Sequence, residues 1–274
     1  MKHLWGNPLD LPPYKGLIHP DLDIPDFRQA LVDCGCSLHN SQIEILLDGR
    51  NKVWAVNLQE SKSNIKEIVI KEFKPKGLKK IKTIFLPSSP AKAWNGAVAL
   101  FKAGIRTAIP IAYLERKKFG FTDRGCFVAE RIKDAEEIRY LFRRLPPNEI
   151  KALLSDLASY LGNCYRAGIL HKDLSDGNIL VKKDKQGQYA FYLIDTNRIR
   201  TRKKITDLRA AKNLIRLGIP KPYQRYFLEV IFRRTPVNPY KWFWYQWNKK
   251  SFSGYLYFKK KFGLKKLAEK LKLQ

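Results

Sequence analysis

Acidic residues are scarce in this chain. Its 25 Asp and Glu stand against 53 Lys and Arg, a formal net charge of +28, and no acid at all lies between Glu72 and Glu115. A surface so one-sided is drawn to phosphates, nucleic acid or anionic lipid, and charge alone does not choose among the three. Long apolar runs are missing as well. No stretch of 18 apolar residues occurs, and MKHLWGNPLDLPPYKG lacks the continuous apolar core of a secretory signal, so a cytoplasmic protein is expected. Cysteine is rare: only Cys34, Cys36, Cys126 and Cys164 are present, and only the first two lie close together. So few thiols imply no disulfide framework. A Cys-x-Cys without a second pair or a His cluster reads as ordinary reduced thiols rather than a metal site.

What is present suffices for a core. A chain of 274 residues, 45% hydrophobic, can form one large domain or two lobes. Residues 1–40, rich in Pro, Asp and His without periodicity, predict an extended arm that packs against something later and carries no chemistry. The short β-branched runs of IEILLDGRNKVWAVNL and NIKEIVIKEF, separated by DGRN and ESKSN, predict an antiparallel meander. SPAKAWNGAVALFKAG has helical spacing and closes on Gly104, and AIPIAYLERKKFGFTDRGCFVAERI adds two strands around FGFTDRG. That makes about five strands and one helix. After Lys133 the pattern turns helical. In NEIKALLSDLASYLGNCYRAG, residues Ile150, Leu153, Leu154, Leu157, Leu161 and Cys164 share one face, and a boundary near residue 132 follows.

The loop ILHKDLSDGNIL comes directly after that helix, and AFYLIDTNRIR supplies a strand ending in Asp195. Asp173 and Asn178 are five apart, so one loop and one strand end can bring two carboxylates and an amide oxygen together. Oxygen donors of that kind suit Mg²⁺, which takes a few protein oxygens plus substrate phosphates. Lys71, the lone lysine of VIKEF, can reach a nucleotide phosphate from a strand of the first lobe. These are the parts that phosphoryl transfer needs.

HKDLSDGNIL resembles the catalytic loop of the protein-kinase-like superfamily, and LID resembles its metal-binding motif. With LLDGRNKVWAV, VIKEF, SPAKAWNGAVALFKAGIRTAIPIAYLE and LIDTNR, the chain is similar to the lipopolysaccharide kinase family of Kdo and heptose kinases, over roughly residues 43–232. The resemblance implies an α+β, bilobal protein-kinase-like fold. An N-lobe at 41–132 would hold an antiparallel sheet plus one helix, and a mostly helical C-lobe would span 133–235. An N-terminal extension (1–40) and a basic aromatic C-terminal tail (236–274) would flank them. It implies a kinase using ATP and Mg²⁺. Asp173 would orient or deprotonate the acceptor hydroxyl, Asn178 and Asp195 would hold Mg²⁺, and Lys71 would grip the α- and β-phosphates. Gly49 and Glu130 join Lys71 on the nucleotide side, and His171 is a structural brace. The implied acceptor is a sugar hydroxyl of the lipopolysaccharide core or a lipid A precursor, an anionic glycolipid, reached peripherally at the inner membrane.

The chain also departs from protein kinases. Their strand lysine is paired with a glutamate on the first helix, whereas this helix offers Trp94 and Asn95. LLDGRNK contains only Gly49, Ser175 stands where a lysine is usual, and Lys172 where an arginine is. No Gly follows Asp195 and no Ala-Pro-Glu appears, which favours a sugar or lipid hydroxyl over a docked peptide. KEFKPKGLKKIK reads as a solvated positive face. The tail from Lys241 interleaves aromatics with lysines, which suits a membrane interface, or a core where Trp242 and Trp244 pack. Two other readings stay open: a RIO-like basic kinase associated with RNA or the ribosome, and a catalytically silent scaffold, which the missing glutamate supports.

Overall fold

The computed structural model describes residues 5–25, 27–29, 31, 43–48, 51–58, 65–184 and 186–262. The chain divides into two compact units, residues 1–98 with 108–133 and residues 99–107 with 134–274.

The first unit is built on one antiparallel sheet. Its strands are β1 (Asn7–Leu11), β2 (Tyr14–Ile18), β3 (Ile43–Asp48), β4 (Lys52–Asn57), β5 (Glu67–Phe73), β6 (Pro110–Lys118) and β7 (Phe121–Glu130), in the order β1-β2-β6-β7-β5-β4-β3. The segment expected as an extended arm thus supplies a hairpin. Leu17 of β2 faces Tyr113 of β6, so the sheet has seven strands where the sequence predicts about five. Gly16 allows this approach, because a Cβ there would meet the Tyr113 carbonyl oxygen at 1.8 Å.

Alternation along β5 sorts the sheet's two faces. Ile68 and Ile70 join Trp54, Val56, Ile111, Leu114 and Val128 in one cluster. Glu72, on that same face by alternation, is buried and ion-paired with Arg124 and, at 3.2 Å, with Lys74. On the other face Leu17, Phe73, Phe127 and Ala129 pack with Ala93, Trp94 and Ala97 of a long helix. The helices of this region are α1 (Leu78–Ile81), a short turn inside the lysine run, and α2 (Ser89–Lys102). Trp94 anchors α2. It is fully buried, donates its Nε1–H to the Trp5 carbonyl at 3.1 Å and lies against the rings of Trp5 and Tyr113. Burying such a side chain contributes about 1.5–3 kcal/mol.

The second unit is mostly helical. It contains β8 (Glu136–Glu137), α3 (Ile138–Arg144), α4 (Pro147–Arg166), β9 (Ile169–His171), β10 (Ile179–Lys183), β11 (Tyr189–Leu193), β12 (Ile199–Thr201), α5 (Asp207–Asn213), α6 (Gln224–Phe232) and α7 (Pro239–Lys261). Every residue of the predicted α4 face, from Ile150 to Cys164, is buried. Burial pushes the Cys164 thiol up to about 12, so it stays protonated and behaves as a small apolar group. Cys34 and Cys36 lie outside the described residues.

The aromatic tail is partly core. Tyr245 of α7 is fully buried, Trp242 and Trp244 pack against the same cluster, and the Trp244 Nε1–H reaches the Leu208 carbonyl at 3.1 Å. Its outer face leaves Tyr240, Phe243 and Trp247 exposed. Among the described residues, no helix is long and apolar enough to cross a membrane.

Candidate active site

Asp173 and Asn178 of the second unit, and the residue before Asp195, are tied together by bonds to the backbone. The strand β9 pairs with β12, Ile199 opposite His171, and delivers the chain to Asp173. Five residues on, the Asn178 side-chain amide donates to the Asp173 carbonyl at 2.7 Å, closing the loop on itself. The Asn178 carbonyl in turn accepts the Ile194 N–H at 3.1 Å, which ties the residue before Asp195 to the same loop. With its nitrogen committed to Asp173, the amide oxygen is the atom Asn178 can turn to a cation.

Asp195 occupies left-handed backbone, φ 57° and ψ 45°. For a residue with a Cβ that conformation costs about 1–2 kcal/mol, least for Asp and Asn. Neighbouring bonds hold it there. The Asp195 carbonyl accepts the Arg198 N–H at 3.2 Å, and Leu193 is gripped from both sides. The Tyr160 hydroxyl accepts the Leu193 N–H at 3.2 Å and donates to the Arg106 carbonyl at 2.7 Å, while the Thr107 hydroxyl donates to the Leu193 carbonyl at 2.7 Å. β11 therefore ends at a fixed point, with Asp195 two residues beyond it.

His171 is buried and makes a brace. Its Nε2 lies 3.0 Å from the Ile194 carbonyl, and its Nδ1 accepts the Asp173 N–H at 3.2 Å. Only the neutral ring with its proton on Nε2 serves both partners. Burial lowers the His171 pKa, which the Ile194 carbonyl and the Asp195 and Asp173 carboxylates offset in part. A group lowered in the fold binds fewer protons folded than unfolded, so the stability it adds is present above the unfolded value and lost as pH falls through the folded one. The melting temperature is thus expected to drop as pH falls from about 7.5 to about 5.5, around the histidine range. His19, also lowered by burial, contributes with the same sign. His171→Asn should lose about 1–3 kcal/mol near neutrality and show less of this pH dependence. An unchanged slope in thermal melts would remove His171 as the titrating brace.

Two further side chains complete the frame, and sequence reasoning missed both. The Asn213 amide donates to the His171 carbonyl at 2.8 Å and its oxygen accepts the Tyr165 hydroxyl at 3.2 Å. Arg216 forms an ion pair with Asp173. Neither carries a local signal, since each meets the loop only after the chain has folded back by some forty residues.

Lys71 and Glu130, expected from the sequence on the nucleotide side, belong to the first unit. Lys71 sits in β5 opposite Val53 and Phe127, on the sheet face that packs under α2, with its Nζ 5.6 Å from the Phe73 ring centroid. That helix carries no carboxylate. Trp94 is committed to the core and Asn95 is exposed. Glu130 ends β7, opposite Ile68, and its N–H donates to the Ile109 carbonyl at 2.9 Å. Ile68 and Lys71 lie on opposite faces, so the Glu130 and Lys71 side chains are not brought together. Gly49 lies outside the described residues.

The family model described as lipopolysaccharide kinase (Kdo/WaaP) matches residues 46–223. The chain belongs to the lipopolysaccharide kinase family. The match takes in Lys71, the Asp173 loop, Asp195 and Arg216, and stops short of α7. Among curated relatives, the lipopolysaccharide core heptose(I) kinase WaaP of Pseudomonas aeruginosa is 27% identical over 172 residues, which is 57% of this chain and 64% of that protein. The chain therefore spans somewhat less than two thirds of that relative's length. A solved structure of WaaP in complex with acyl carrier protein superposes with a TM-score of 0.55 at 18% identity, over 77% of this chain and 88% of that one. This lipopolysaccharide kinase family member has the protein-kinase-like fold, with its antiparallel sheet in one unit and most of its helices in the other.

Proposed function

We propose that the chain transfers the γ-phosphoryl group of ATP to a sugar hydroxyl of the lipopolysaccharide core or a lipid A precursor, working at the inner-membrane surface. The observation that carries this reading is the closed loop of the second unit. Asp173, Asn178 and Asp195 are set on one loop and one strand end by three direct bonds, Asn178 to Asp173, Ile194 to Asn178 and His171 to Ile194. Asp173 orients the acceptor hydroxyl and takes its proton as the oxygen attacks phosphorus. Lys71, from its own strand, grips the donor phosphates.

The donor set fits Mg²⁺. One carboxylate, Asp195, and one amide oxygen, Asn178, are hard ligands of the kind that leave most positions to phosphate and water. Among the described residues no group of three His, Cys, Asp or Glu gathers into a metal cluster, so the protein alone offers only a partial shell. Bound there, Mg²⁺ would supply charge neutralisation at the phosphate oxygens.

Two exposed surfaces support membrane contact. Leu78, Ile81, Ile84, Phe85 and Leu86 are exposed in the lysine run around α1, and Phe243 and Trp247 are exposed on α7, beside Lys250 and further lysines. Apolar side chains interleaved with lysines favour anionic headgroups. The test is phosphate transfer from γ-labelled ATP with Mg²⁺, with and without dephosphorylated lipopolysaccharide core glycolipid. Acceptor-dependent incorporation that needs Mg²⁺ is expected. Nucleotide binding without any transfer would leave the silent scaffold in its place.

A further inference from the structure

Arg216 is held against Asp173 by a strap whose apolar side chains join the helical core. Residues 214–218 form one tight turn, Leu217 N–H to Leu214 carbonyl at 3.0 Å, with Leu214 and Leu217 buried and Arg216 half-exposed between them. The strap is fastened at two points. Asp176, from the loop that carries Asp173, accepts the Gly218 N–H at 2.7 Å, and a Cβ on Gly218 would meet the other Asp176 oxygen at 2.3 Å. Lys249 of α7 donates to the Leu217 carbonyl at 2.8 Å, to the Ile215 carbonyl at 3.5 Å and to the Tyr245 hydroxyl at 3.1 Å. The Arg216 guanidinium also lies 5.5 Å from the Phe252 ring centroid, a third contact that limits where it can point.

The arrangement is expensive for what it gives to stability. Burial pushes the Asp176 carboxyl up and the Lys249 ammonium down, each offset in part by its attraction to the other. A half-exposed ion pair such as Arg216 with Asp173 returns only about 0–1 kcal/mol. Asp176 and Lys249 thus fix, by direct bonds, the turn that sets one cation beside one carboxylate. Asp173, in the reading above, faces the hydroxyl that attacks the phosphoryl group, which carries its charge on three equatorial oxygens in transit. Within the loop Ser175 is neutral, and Arg216 is the cation that stands ion-paired beside Asp173. A guanidinium has five N–H donors in a planar fork, so it can stay ion-paired to Asp173 while its N–H groups turn to phosphoryl oxygens.

We propose that Arg216 is a catalytic residue, the cation that binds the phosphoryl group in transfer beside Asp173, with Asp176 and Lys249 as the positioning residues that present it. The acceptor oxygen bonds to phosphorus as the bond from phosphorus to the ADP oxygen breaks. The hydroxyl proton passes to Asp173, and Arg216 stays protonated throughout. This inference rests on the kinase reading and adds a residue to it.

The test uses the full chain, Mg²⁺-ATP and the dephosphorylated core glycolipid, with circular dichroism and melting temperature as folding controls. Arg216→Gln is expected to lower kcat by about 30- to 1000-fold while KM for ATP and acceptor stay within about threefold. Arg216→Lys should keep part of the rate. Millimolar guanidinium should partly restore Arg216→Ala and leave Asp173→Asn inactive. Lys249→Met should lose less, without rescue by guanidinium. Wild-type kcat in Arg216→Gln, a change confined to acceptor KM, or no rescue of a folded Arg216→Ala would each overturn the proposal. If wild type transfers phosphate and Asp173→Asn does not, those outcomes remove Arg216 alone. If wild type transfers nothing, the kinase reading falls first and this one with it.

Discussion

Asp173→Ala is expected to reduce phosphotransfer below about a thousandth of wild type while the melting temperature stays within a few degrees, because in the proposed reaction the lost group acts on the acceptor, and it is not part of the core. Asp195 should behave alike for a different reason, loss of the carboxylate that would hold Mg²⁺. Here the choice of replacement matters. Ala at φ 57° adds strain of about 1–2 kcal/mol, whereas Asn tolerates that backbone, so Asp195→Asn is the cleaner variant. Lys71→Ala should lose less, since α2 offers no carboxylate to fix that lysine on the phosphates. Full transfer by either aspartate variant would remove the kinase assignment, and a Lys71→Ala loss as complete as that of Asp195 would mean another group holds the lysine.

The second large effect concerns lipid. The chain should sediment with vesicles containing anionic lipid and be released as salt rises, because each lysine near the surface adds about 1 kcal/mol that Debye screening removes. Neutral vesicles should bind weakly. The structure changes how the tail is to be tested. Removing residues 249–274 would also take away Lys249 and its bonds to the strap, so truncation mixes lipid binding with the site. Phe243 and Trp247, stacked at 6.2 Å and both 61% exposed, are the better targets. A Phe243→Ser, Trp247→Ser double variant is expected to weaken binding to anionic vesicles about tenfold or more. Transfer to a vesicle-embedded acceptor should fall in step, with acceptor-free ATP hydrolysis unchanged. Salt-sensitive binding to RNA with no preference for anionic lipid would instead favour the nucleic-acid reading.

The parts of the site written locally were legible in the sequence. Asp173, Asn178 and His171 share one loop, and Asp195 follows a strand whose apolar pattern announces it, so spacing alone predicts the bonds that tie Asn178 to Asp173 and to Ile194. The α4 face was readable for the same reason, since a 3.6-residue period needs no knowledge of its partner. What sequence could not reveal depends on distant neighbours. The β1–β2 hairpin hides because NPLDL and YKGLI are short and split by two prolines, and β2 finds its partner in β6 almost a hundred residues later. Arg216 and Asn213 read as ordinary surface residues until α5 returns to the loop. In the tail, helical phase decides that Tyr245 turns inward and Phe243 outward, and composition says nothing of phase.

The N-terminal hairpin also covers the edge of the sheet that β6 would otherwise present. A chain trimmed to residues 46–223, the span that the family shares, would lose β1 and β2 and leave β6 as an open edge, its backbone N–H and C=O groups ready to pair with another molecule. It would take Trp5 and Leu17 away from Trp94, and at the other end remove Tyr245 from the helical core. Aggregation during expression is the expected fate of such a fragment. The matched span thus holds the proposed site residues, while the segments outside it cover an edge strand and complete the packing of each unit.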